Sequence, residues 1–79
     1  MIVPTYVESK KQEQERTKNF VYHAPKPGQA ERYTHIRDTA GAFAKMVNEQ
    51  CPPSRELSVG ITLLEQAVFW FNAAIARNE

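Results

Sequence analysis

Phe20, Tyr22 and His23 stand just ahead of a helical pattern that carries Arg32, Arg37 and Thr39, and together these side chains have the chemistry to hold a nucleotide-sized anion. A tyrosine offers a flat face to a purine, and such stacking is worth about 1 to 3 kcal/mol per base. Arginine presents a planar fork of donors that matches the oxygens of a phosphate. A threonine hydroxyl both donates and accepts, and free amides at the helix start, Gln29 to Arg32, favour an anion. A plainer reading uses the same residues. Tyr22 then staples the connector to the helices, and Arg37 with Asp38 is solvated surface.

Catalytic chemistry finds less support. His23 and His35 are potential bases and Cys51 a potential nucleophile, yet no spacing joins them into one site. The chain has no phosphate-binding glycine loop, no nucleophile elbow and no His-Glu-x-x-His helix. The expectation is a binding protein without enzyme activity, cofactor or metal. Cys51 is the single cysteine, which excludes an internal disulfide and fits a reducing compartment. Lysine and arginine number 10 against 9 aspartates and glutamates, a net charge of +1, so a long nucleic acid is not an expected partner. A compact ligand with one or two phosphates remains compatible. Met1-Ile2-Val3-Pro4 lacks a basic region followed by an apolar one, and no uninterrupted apolar run looks membrane-spanning, so a cytoplasmic location without a membrane partner is expected.

The elements that must position these residues follow from periodicity. Residues 1–19 read as a polar N-terminal arm, because Glu8 to Lys18 is polar on every face. Asn19 to Gly28 is an aromatic extended connector stopped by Pro25-Lys26-Pro27-Gly28. Tyr33, Ile36, Ala40, Phe43 and Val47 then alternate steps of three and four, which predicts a helix over about 29–51. Pro52-Pro53 ends it, and Ser54 caps a second helix over about 54–78. Its apolar seam runs Leu57, Ile61, Leu64, Val68, Phe71 and Ile75. The connection is short enough to force an antiparallel arrangement, so the fold class is all-α: a two-helix hairpin over residues 20–79 with an extended N-terminal arm. The expected register sets Val47 near Leu57, Ala40 near Leu64 and Ile36 near Val68. A second stripe, Leu63, Ala67, Trp70 and Ala74, has no partner within the hairpin, and a chain this short makes a marginal core, so a homo-oligomer is expected. Gly41 and Gly60 lie inside helices at a cost of roughly 1 kcal/mol each against alanine. Either another protomer approaches there or the glycines carry no meaning.

The run Phe20-Val21-Tyr22-His23-Ala24-Pro25, then Gln29, Glu31-Arg32-Tyr33 and Ile36-Arg37, then Cys51 to Glu56, and finally Leu64 to Val68 with Trp70 and Asn72 to Asn78, resembles the phage proteins that sequester cyclic nucleotide signals. These are the anti-CBASS and anti-Thoeris sponges. The resemblance implies oligomers, commonly hexamers, that bind cyclic oligonucleotides or cyclic ADP-ribose isomers intact and keep them from an effector. It implies that Tyr22 stacks on a base while Arg37 and Thr39 hold phosphate. Phe20, His23 and Arg32 are further candidates. Asn72 and Arg77 mark a candidate second pocket on the oligomer axis for a larger ring such as a cyclic trinucleotide. Phe71 and Leu63 stand where the family usually has alanine and lysine, so the second helix is bulkier and less charged. The alternative to a sponge is a structural or adaptor hairpin with no nucleotide ligand.

Overall fold

Proline and glycine punctuate the chain where its helices stop and start. The computed structural model describes residues 5–79. It contains α1 (Lys10–Phe20), α2 (Gln29–Gln50) and α3 (Arg55–Asn78), with no strand among the described residues. Cys51 leaves the helical region ahead of Pro52, at φ −115° and ψ 140°, as the residue before a proline must. Ser54 Oγ accepts the Leu57 amide at 3.1 Å and opens α3. At the other end of α2, Gly28 takes φ 83°, a left-handed conformation open to glycine. Gly28 has no side chain to cap the helix. The Gln29 side chain bonds back to the turn instead, its Oε1 accepting the Lys26 amide at 2.9 Å.

The expected extended arm is corrected in part: residues 10–20 are helical. A helix polar on every face gains little from packing, so its ends must be secured locally. Ser9 Oγ accepts the Gln12 amide at 3.1 Å, and Gln12 Oε1 accepts the Ser9 amide at 2.9 Å. This is a reciprocal capping box. Arg16 adds two hydrogen bonds to Glu8, at 2.8 and 3.0 Å. No residue of α1 is buried. Residues 1–4 of the expected arm lie outside the described residues.

α2 and α3 form the antiparallel hairpin: Lys26, Gln29 and Arg32, at the start of α2, bond to Glu79 just past the end of α3. The seam differs from strict alternation at two positions. Phe43 and Phe71 are exposed, while Ala44 and Asn72 are half-buried in their place. A straight helix turns every 3.6 residues, so its contact line drifts by about 20° per heptad relative to a repeat of 3.5 and takes successive steps of four. The line here runs Ile36, Ala40, Ala44, Val47 on α2 and Leu64, Val68, Asn72, Ile75 on α3.

One hairpin does not make a core. No hydrophobic side chain among the described residues is buried. The radius of gyration is 18.2 Å, against about 12 Å for a compact domain of this length. Leu63, Phe69, Trp70 and Phe71 are all exposed, Trp70 to 66%. α3 is apolar overall, although Glu65 and Gln66 interrupt its run. The 24 residues of α3 include a window of mean hydropathy 1.4, sufficient by length and composition alone. Leu57, Ile61, Leu64 and Val68 on that helix are half-buried along the hairpin seam, so helix pairing accounts for part of its apolarity.

Candidate functional site

The connector carries its aromatic side chains into the open. Phe20 is 84% exposed at the end of α1, and Tyr22 is 86% exposed in the extended stretch that follows. Neither ring face is spent on packing. His23 is half-buried beside them, and its Nε2 lies 2.7 Å from the main-chain oxygen of Lys18. A carbonyl only accepts, so Nε2 carries the hydrogen and donates. His23 thereby ties the connector to the last turn of α1 and sets the position from which Tyr22 projects.

Arg37 lies on α2 at the edge of a groove of about 530 Å³ between the two helices. Ala40, Gly41, Val68, Phe69 and Asn72 also line it. The groove is mostly apolar, and Glu65 lines it along with Arg37 and Asn72. Asn72 Oδ1 is itself buried, without a hydrogen-bond partner in the protein, an acceptor that normally finds a donor. Thr39 lines none of the hollows described. Two residues apart on a helix, Arg37 and Thr39 point about 200° apart. One protomer therefore cannot close both on the same small group.

Asn72 and Arg77, assigned together from the sequence, line different hollows. Arg77 sits over the Trp70 ring, 5.8 Å from its centroid, a cation–π contact. It also borders a cleft of about 540 Å³ beside α1, lined by Lys10, Thr17, Lys18 and His23. The structure thus brings Arg77 to His23, and Asn72 to Arg37.

Arg32 is engaged within the chain. Its guanidinium donates two hydrogen bonds to the Glu79 carboxylate, one of them 2.8 Å long from Nη1 to Oε2 and the other from Nη2 to Oε1. Gln29 Nε2 donates to the same carboxylate at 3.1 Å, and Lys26 Nζ donates to the Glu79 main-chain oxygen. Arg32 first, and Gln29 second, hold the Glu79 carboxyl down to about 2. Glu79 in turn raises the pKa of Arg32. Gln29 is the one buried polar residue among those described, 3% exposed. Sequence reasoning placed Gln29 only at a helix start. Its role depends on Glu79, 50 positions away, which local pattern does not register.

Among the described residues no group of three or more His, Cys, Asp or Glu side chains is placed to hold a metal ion. Cys51 is exposed at the hairpin turn, and His35 is exposed on α2.

Residues 12–76 match the family model for the Acb2/Tad1 hairpin domain. The matched region begins within α1, earlier than the Phe20 start of the sequence resemblance, and takes in the connector and nearly all of the hairpin. No curated protein and no solved structure matches the chain.

Proposed function

The chain belongs to the Acb2/Tad1 hairpin family, the phage anti-CBASS and anti-Thoeris sponges, and from that membership we propose that it sequesters cyclic nucleotide second messengers without cleaving them. The match across most of the chain carries this reading. Infected bacteria use such nucleotides as alarm signals, and a protein that holds them intact leaves the effector unliganded. Tyr22 supplies the stacking face, Arg37 the phosphate contact and Thr39 a hydroxyl. Cyclic dinucleotides are the primary ligand class, with trinucleotides or cyclic ADP-ribose isomers as further ones.

Competition with an effector needs roughly nanomolar affinity, about 12 kcal/mol. One stacked ring, worth about 1 to 3 kcal/mol, and one arginine fall short of that once binding entropy is charged. The divergence of Arg37 and Thr39 along α2 supports a pocket shared between copies, with the arginine of one protomer and the threonine of another. The coreless hairpin and the uncovered stripe of Leu63 and Trp70 favour the same assembly. The oligomer is proposed to be a hexamer acting in the host cytoplasm.

Incubation with a panel of cyclic di- and trinucleotides and cyclic ADP-ribose, followed by denaturation and chromatography of the released ligand, tests the proposal. Intact ligand recovered in stoichiometric amount supports a sponge. Altered ligand would make the protein an enzyme. Absence of ligand across the panel would leave an adaptor hairpin that docks through Trp70 and its neighbours.

A further inference from the structure

The cluster at the start of α2 has the composition of an oxyanion site, and its occupant is a side chain of the same protein. Gln29 is its fixed part. The side chain is almost wholly buried, and its Oε1 accepts both the Lys26 amide at 2.9 Å and the Tyr33 hydroxyl at 3.3 Å. With the oxygen so committed, Nε2 can only face outward as a donor, and it meets the Glu79 carboxylate. Arg32 brings its fork to the same two oxygens, and Lys26 stands beside them. The Gln29 amide already donates to the Lys26 main-chain oxygen at 3.0 Å, and the amides that follow it in the first helical turn add favourable partial charge.

We infer that Lys26, Gln29 and Arg32 form a binding site for a phosphodiester group and that the Glu79 carboxylate is its exchangeable placeholder. A carboxylate and a phosphodiester both present two equivalent oxygens sharing one negative charge. The donor set that holds one therefore fits the other. Exchange is open to Glu79 because its side chain is 41% exposed. The pair it forms with Arg32 is solvent-facing, and exposed ion pairs are weak enough for a ligand to displace. Gln29 needs no rearrangement when the occupant changes. The site stands at the opposite end of the hairpin from the Pro52-Pro53 turn. It uses none of Tyr22, Arg37 or Thr39, so it does not depend on the pocket proposed for those residues.

The test uses dimethyl phosphate, a bare phosphodiester, titrated into the full chain while the Arg32 Nε–H and Gln29 Nε2 resonances are followed by NMR. Glu79→Ala, checked by circular dichroism for retained helix, should bind about two- to five-fold more tightly than the parent, the range set by removing one exposed competing ion pair. Adding Arg32→Gln should abolish the shifts at Gln29. In the parent, high dimethyl phosphate should move the Glu79 carboxyl carbon toward its free value, a measurement that needs no variant. Equal affinity in the parent and Glu79→Ala would overturn the inference. So would shifts confined to residues away from Gln29 and Arg32, or a Glu79 carboxyl indifferent to the anion, because Glu79 would then be a brace for the end of α3. Loss of cyclic nucleotide binding in Tyr22→Ala and Arg37→Ala bears on the other pocket alone.

Discussion

Replacing Gly41 with alanine gives opposite results depending on whether another protomer fills the groove beside Arg37. In an isolated protomer, a Cβ built at Gly41 meets nothing within 4 Å. The substitution should then be free of steric cost and should stabilise the helix by roughly 0.4 to 1 kcal/mol through propensity and unfolded-state entropy. For a chain this size a change of 1 kcal/mol moves the melting temperature by about 4 to 8 °C. If another protomer approaches at Gly41, the alternative raised by its place inside the helix, the added methyl overpacks that contact, at about 1 to 3 kcal/mol. That corresponds to a dissociation constant weakened about 5- to 140-fold. Sedimentation velocity over a dilution series reads the association directly, and melts at matched concentrations separate it from helix propensity. The expected outcome is weaker self-association in Gly41→Ala. A higher melting temperature with unchanged sedimentation would show that the groove faces solvent, and the reasoning that places another chain there would fail.

Tyr22→Ala should weaken a cyclic dinucleotide by roughly 1 to 3 kcal/mol and Arg37→Ala by about 1.5 to 3 kcal/mol, both without loss of the oligomer; unchanged affinity by titration calorimetry in both variants would place the site elsewhere. Ser54→Ala removes the cap on the Leu57 amide and should cost about 1 kcal/mol, read as a lower thermal midpoint, whereas an unmoved midpoint would mean that the cap is dispensable. Because the folded pKa of Glu79 lies below its ordinary 4.5, its contribution to stability is full above about pH 4.5 and is lost as pH falls toward 2. A carbon-detected NMR titration of Glu79 should give a midpoint below 4.5; a midpoint at 4.5 would show that the contact with Arg32 does not persist in solution.

The hairpin was legible because its determinants are local. Pro52-Pro53, Ser54 and the apolar period lie within a turn of the structure they cause, and the helix bounds fall within a residue of those expected. Phe43 and Phe71 were misplaced because counting bulky residues at a spacing of 3.5 assumes a supercoil, while the contact line follows Ala44 and Asn72. α1 carried a readable signal that apolar periodicity passes over: Ser9 and Gln12 are spaced as a capping box, which organises a helix end without any apolar face.

The sequence offers candidate residue types but not their grouping. Tyr22 reads either as a free stacking face or as a staple to the helices, and its side chain is exposed. Grouping depends on which helix faces meet, and there the sequence misleads by proximity. Arg37 and Thr39 are neighbours in the chain and diverge in space. Arg37 and Asn72 are distant in the chain and line one groove. Arg32 and Glu79, 47 positions apart in the chain, meet at one end of the hairpin and share hydrogen bonds. Asn72 Oδ1 is buried without a partner as well, a cost that arises only when α3 packs on α2 and that no local pattern announces.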